Sequence, residues 1–205
     1  MSLTQGREVA AAGADGLGIN FWPKSKRFVD PAMGGDWIKE LRSFTTVVAV
    51  TVNPDDALFA QIVEEGLVDV LQLHGDETPE RCAELARFGL PIIKAFQIKD
   101  ESSLDLVGHY DTPFVLLDSY NPGHYGGEGR SFPWHLVQVA KQRFPQKQII
   151  LAGGLTPQNV ADAVAGVKPA AVDVASGVES APGVKDLILV RDFIARVHEA
   201  HNGVK

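Results

Sequence analysis

Short β-branched or apolar runs recur along this chain, each closed by Gly, Asn, Asp or Pro and followed by a stretch of helical period. This alternation limits the fold more than any other feature. The runs predict strands at 16–20, 46–52, 68–73, 91–96, 114–118, 148–151 and 170–174, and the intervening stretches predict helices at 4–12, 36–42, 55–65, 79–88, 102–107, 132–143, 157–165 and 186–200. Thr78 and Thr156 each stand before a proline, which pairs a capping hydroxyl with a residue suited to the first helical turn; Asp55, after Asn53-Pro54, has a similar role.

Runs such as TTVVAVTV and PFVLL are apolar on both faces, the condition of a parallel sheet covered by helices. An α/β fold follows. Seven or eight such units in 205 residues, with no linker or composition break, predict one domain over 1–205 with (β/α)8 TIM barrel architecture; a doubly wound open sheet is the structural alternative. The first predicted element is a helix, closed by Gly13, where a barrel begins with a strand. The N-terminal first strand is therefore expected to be missing from this chain. Its place is left open between the first and last visible strands, or is filled by something else.

Composition narrows the partners. The formal charge is −7, without the broad basic face that nucleic acid requires. A single cysteine, Cys82, excludes an internal disulfide and a thiolate zinc cluster and points to a reducing, cytoplasmic location. No apolar run approaches the roughly 18 residues of a membrane span, so no membrane association is expected. No cluster of histidines and carboxylates marks the strand ends, and no metal is expected. The chain is expected to be a monomer or a homodimer, since a neighbouring copy is one way to cover an absent strand.

In such folds the chemistry sits at the carboxyl ends of strands. Gly153 and Gly154 follow a predicted strand and precede a helix start, where bare backbone amides can bind phosphate without a basic side chain. Ser176 and Gly177, beyond the last strand, reinforce them; tight turns are the plainer reading of the same glycines. Asp118 ends its strand at the mouth, where a partly desolvated carboxyl can act as a general acid, although a turn-forming aspartate fits the position equally. Gln72 and His74 share a parity toward the mouth and are kept as candidates, a buried histidine satisfied by hydrogen bonds being the commoner outcome. In Phe21-Trp22-Pro23-Lys24-Ser25-Lys26-Arg27-Phe28, Arg27 can grip a carboxylate with two prongs and the aromatics can line a ring site, with a solvated basic loop as the alternative. Cys82, inside a predicted helix, reads as a small apolar filler.

Taken together and in order, FWPKSKRFV, VDVLQLHGDE, LLDSYNPGHYGGEG, ILAGGLTPQNV and AAVDVASGVESAPGVKD resemble phosphoribosylanthranilate isomerase, the (β/α)8 enzyme of tryptophan biosynthesis, over residues 13–186. The resemblance implies an Amadori rearrangement of N-(5-phosphoribosyl)anthranilate, a phosphorylated aromatic amino-sugar, without cofactor. It assigns Asp118 as general acid and Arg27 to the anthranilate carboxylate. Gly153, Gly154, Ser176 and Gly177 fall to the phosphate, and Asp173 matches a family aspartate near that site. Family members begin with a strand bearing K-x-C-G, whose cysteine is the general base. This chain has no counterpart, so the resemblance implies an N-terminally shortened member with reduced or absent turnover. Smaller departures are Ala175 for a serine, Glu128 within Gly126-Gly127-Glu128-Gly129, and Pro133 for an aspartate. Two rival expectations are a degenerate, non-catalytic barrel that binds phosphorylated ligands and another sugar-phosphate isomerase or epimerase.

Overall fold

The computed structural model describes residues 1–119 and 133–203. Among these, seven strands form one parallel sheet in chain order: β1 (Gly16–Asn20), β2 (Thr46–Thr51), β3 (Val70–Leu73), β4 (Ile92–Ile98), β5 (Phe114–Ser119), β6 (Gln148–Leu151) and β7 (Ala171–Val172). Between and around them run α1 (Leu3–Ala11), α2 (Pro31–Leu41), α3 (Asp56–Glu64), α4 (Pro79–Ala86), α5 (His135–Arg143), α6 (Val160–Val167) and α7 (Leu187–Asn202). The alternation in the sequence is thus the alternation in space, and the fold class is α/β.

Alternate strand residues divide between two faces. Leu17, Ile19, Val47, Leu71, Leu73, Val115, Leu117 and Ile149 are buried with helix residues such as Ile38, Leu41, Phe59, Ile62, Leu85 and Val137 in the main core. The opposite face carries a smaller cluster of Ala95, Leu116 and Ala152, flanked by Ile93 and Ile150. On β5 the inner parity of Leu116 continues to Asp118, which places a carboxyl at the carboxyl end of the concave face.

Several boundaries differ from expectation for local reasons. Helix α2 starts at Pro31 rather than 36, because Asp30 accepts from Ala32 N at 2.9 Å and Pro31 fits the first turn. The Thr78 and Asp55 caps form, at 3.2 Å to Arg81 N and 2.8 Å to Leu58 N. The Thr156 cap does not form. Asn159 Oδ1 accepts from Thr156 N at 2.8 Å and its amide donates to Gly154 O at 2.9 Å, so residues 156–159 form a turn and α6 begins only at Val160. The weak helix at 102–107 is a 3-10 helix, Glu101–His109, and the strand at 170–174 shrinks to two residues. An unforeseen antiparallel hairpin, β8 (Glu179–Ala181) and β9 (Val184–Lys185), follows β7. Residues 120–129 of the LLDSYNPGHYGGEG motif, Glu128 among them, and position 132 lie outside the described residues.

Candidate functional site

Asp118 is only 4% exposed. Its Oδ1 accepts from the backbone N–H of Ser119 at 2.7 Å, and its Oδ2 lies 3.4 Å from His74 Nε2. His74 stands just beyond β3, its backbone N–H donating to Thr51 O at 2.8 Å. The shared parity with Gln72 holds: Gln72 Nε2 is 2.9 Å from His74 Nδ1. A side-chain amide nitrogen only donates, so Nδ1 accepts and the network assigns the ring proton to Nε2, the nitrogen facing Asp118. Nε2 is buried and closes no hydrogen bond of its own. The histidine is therefore satisfied on one side only, and its open side meets the candidate acid.

The glycine turns after β6 and β7 adjoin each other and the acid. Gly153 and Gly154 have φ of +85° and +65°, a left-handed backbone that favours glycine. A Cβ on Gly153 would come within 2.6 Å of Ser119 N and 2.9 Å of Asp118 Oδ1. One on Gly177 would come within 1.9 Å of Leu155 O. Ser176 and Gly177 open a short 3-10 turn, Ser176–Val178, in front of the hairpin. The sequence elements expected to hold phosphate thus sit together, beside Asp118.

Arg27 is forked onto Glu179, with Nε at 2.9 Å and 3.1 Å from the two carboxylate oxygens and Nη2 at 2.6 Å from Oε2. Nη1 lies outside this fork. Lys185 Nζ stands 3.3 Å from Glu179 Oε1 and donates to Ala175 O at 3.0 Å, tying the hairpin to the turn after β7. Burial alone would raise the Glu179 carboxyl; the hydrogen bond from Arg27 and the charges of Lys185 and Arg27 outweigh it and hold the pKa below the usual carboxylate value. Lys185 is shifted down by burial, against the pull of Glu179 and Asp173. Asp173 opens to solvent on one side and is crowded by protein on the others. That crowding first, and then the negative charge of Asp118, push its pKa up, eased by His74 and Lys185. Arg27 and Lys185 thus both stand against the Glu179 carboxylate.

Phe21 does not line a ring site; it is fully buried in the main core, while Trp22 is half-buried and Phe28 is 38% exposed. Cys82 lies buried in α4, away from these groups, as a filler. Among the described residues no three His, Cys, Asp or Glu side chains are disposed to hold a metal ion. Likewise among them, no helix is long and apolar enough to cross a membrane. The reading of the sequence missed Glu179 and Lys185. It also passed over Lys94, a charged residue inside the apolar run IIKAF, which was a visible signal.

The family model for N-(5'-phosphoribosyl)anthranilate isomerase matches residues 2–196. The isomerase of that name from Geobacter sulfurreducens is 46% identical over 195 residues, covering 95% of this chain and 93% of the relative. That from Geobacter metallireducens is 45% identical, covering 95% and 94%. The crystal structure of phosphoribosyl anthranilate isomerase from Thermotoga maritima superposes with a TM-score of 0.87 at 34% identity, covering 97% of this chain and 95% of that one. A structure of the enzyme in complex with reduced 1-(o-carboxyphenylamino)-1-deoxyribulose 5-phosphate gives 0.83 at 32% identity, covering 96% and 94%.

Proposed function

This chain belongs to the N-(5'-phosphoribosyl)anthranilate isomerase family, and from that membership we propose that Asp118 is the general acid for the Amadori rearrangement of N-(5-phosphoribosyl)anthranilate to 1-(o-carboxyphenylamino)-1-deoxyribulose 5-phosphate, carried out in the cytoplasm. The observation that carries this reading is the approach of Gly153 to Asp118, with 2.9 Å between a Cβ built on the glycine and Oδ1. A phosphate resting on the N–H groups of the Gly153-Gly154 and Ser176-Gly177 turns brings the ribose to the carboxyl.

Asp118 then gives its proton to the ribose ring oxygen as the C1–O bond breaks, and the anthranilate nitrogen supplies the electron pair that leaves an iminium at C1. The carboxylate left behind is met by Ser119 N–H and by the proton on His74 Nε2, donors that favour the charged form as it appears. Arg27, held in plane by Glu179, offers Nη1 to the anthranilate carboxylate. Loss of the C2 proton and ketonisation complete the rearrangement. Residues 1–205 contain no K-x-C-G, the motif whose cysteine is the family's base for that proton; a general base contributes on the order of a hundred- to ten-thousand-fold in rate.

The seven strands are, in this reading, the second to eighth of a (β/α)8 barrel whose first position lies between β1 and β7. In its favour, β1 and β7 are the two ends of the sheet order, and Gly16, Gly18 and Ala171 are exposed at those ends. Two assays test the function. Decay of phosphoribosylanthranilate fluorescence reports turnover, and titration with the reduced product analogue reports binding. Binding with little turnover, raised when a K-x-C-G strand is fused ahead of α1, is expected; failure to bind the analogue contradicts the reading.

A further inference from the structure

Lys94 is 2% exposed. It lies on the face of β4 shared with Ile92, Phe96 and Ile98, turned toward the helices and away from the concave cluster of Ala95, Leu116 and Ala152. An ammonium so deeply buried is tolerated only when its protons are met. Its Nζ donates to Leu73 O at 3.2 Å, Gly75 O at 2.8 Å and Ala95 O at 2.9 Å, and lies 3.2 Å from Glu77 Oε2. The rings of Phe96 and Tyr110 cover it, with centroids at 5.3 Å and 5.8 Å.

Two of those carbonyls belong to the residues on either side of His74. Glu77, itself buried, continues the arrangement: it accepts from Gly75 N at 3.0 Å and from Asn53 N at 2.8 Å. Strand β3 ends at Leu73, and the last ladder bond, from His74 N–H to Thr51 O at 2.8 Å, holds the residue where it must present Nε2 to Asp118. Beyond that bond the carbonyls of Leu73 and Gly75 are held by the Lys94 side chain. For stability alone a buried ion pair is replaceable by neutral groups of similar shape; what a neutral pair does not reproduce is a donor that bonds the carbonyls before and after His74.

We propose that the buried Lys94–Glu77 pair is a positioning device that brackets His74 from behind the sheet and holds its ring in register with Asp118. The pair touches no substrate and acts through His74. This rests on the role proposed for Asp118, but its test does not need turnover.

The test uses the full chain with ¹⁵N-labelled histidines and long-range proton–nitrogen spectra of the imidazoles, His74 being assigned by its loss in His74→Asn. Wild type is expected to show His74 as the single Nε2–H tautomer. In the double variant Lys94→Met/Glu77→Gln, which removes both charges together, the tautomers should mix. Affinity for the reduced product analogue should fall about tenfold, while affinity for inorganic phosphate stays within about twofold. If that variant does not fold, Glu77→Gln alone, which keeps the three carbonyl bonds of Lys94, supplies the second reading, with a partial loss of the single tautomer expected. An unchanged His74 signal in whichever variant folds overturns the proposal, as does a wild-type His74 protonated on Nδ1. Failure of wild type to bind the analogue counts against the function alone, since the tautomer is read without ligand.

Discussion

Gly177 runs against the carbonyl of Leu155 so closely that a Cβ in its place would stand 1.9 Å from that oxygen. The turns after β6 and β7 are therefore packed directly against each other. Gly177→Ala must push the two apart. Affinity for the reduced product analogue, measured by calorimetry, is expected to fall at least tenfold, about 1.4 kcal/mol, with the fold intact by circular dichroism. Unchanged affinity would mean that the phosphate does not rest there.

Asp118→Asn keeps the shape of the side chain and removes the acid. In the form with a fused first strand, the rate of substrate fluorescence decay should fall by on the order of a hundred- to ten-thousand-fold, with analogue affinity within a few-fold of the parent. A rate that survives the change would remove Asp118 from the chemistry.

Arg27→Lys preserves charge and loses the planar fork that Glu179 grips. Binding of the analogue, which carries a carboxylate, should weaken roughly tenfold, while binding of inorganic phosphate should not change.

The same fork has a pH signature. The folded pKa of Glu179 lies below its ordinary value of 4.5, held there by Arg27 and Lys185 against burial. The stability it contributes is thus complete above that ordinary value and is lost as pH falls through the folded one. Thermal melts of Glu179→Gln should accordingly fall less steeply than wild type on acidification below about pH 4.5. Parallel acid limbs would show that the pair contributes nothing.

Burial raises the Cys82 thiol from 9.0 to about 11. The thiolate fraction at pH 8 is then lower by roughly a hundredfold than in the unfolded chain. Thiol reagents should label the protein rapidly in denaturant and at least that much more slowly when native. Fast native labelling would contradict its placement in α4.

Much of this was legible in the sequence, for physical reasons that differ by element. Strands β1 and β6 begin and end where their apolar runs do, because glycine, asparagine and aspartate punctuate them locally. Gly153 and Gly154 carried their own signal, since positive φ selects the residue type, and Gly177 is required by its close approach to Leu155 O. Helix α6 was misjudged because Asn159 competes with Thr156 for the turn, a choice between two side-chain bonds of similar strength. The hairpin was foreshadowed by Pro182-Gly183, a turn pair that passed without notice. Glu179 left no trace near Arg27, as 152 positions separate them along the chain. The meeting of His74 with Asp118 depends likewise on how β3 and β5 lie in the sheet, which residue order does not display.

A crystal structure of this chain with reduced 1-(o-carboxyphenylamino)-1-deoxyribulose 5-phosphate tests the central claim most directly. The account predicts phosphate oxygens within roughly 2.7–3.2 Å of backbone N–H groups in both glycine turns, with Asp118 beside the sugar oxygen and the carboxylate against Arg27. A phosphate bound elsewhere, or an analogue whose sugar lies away from Asp118, would contradict it.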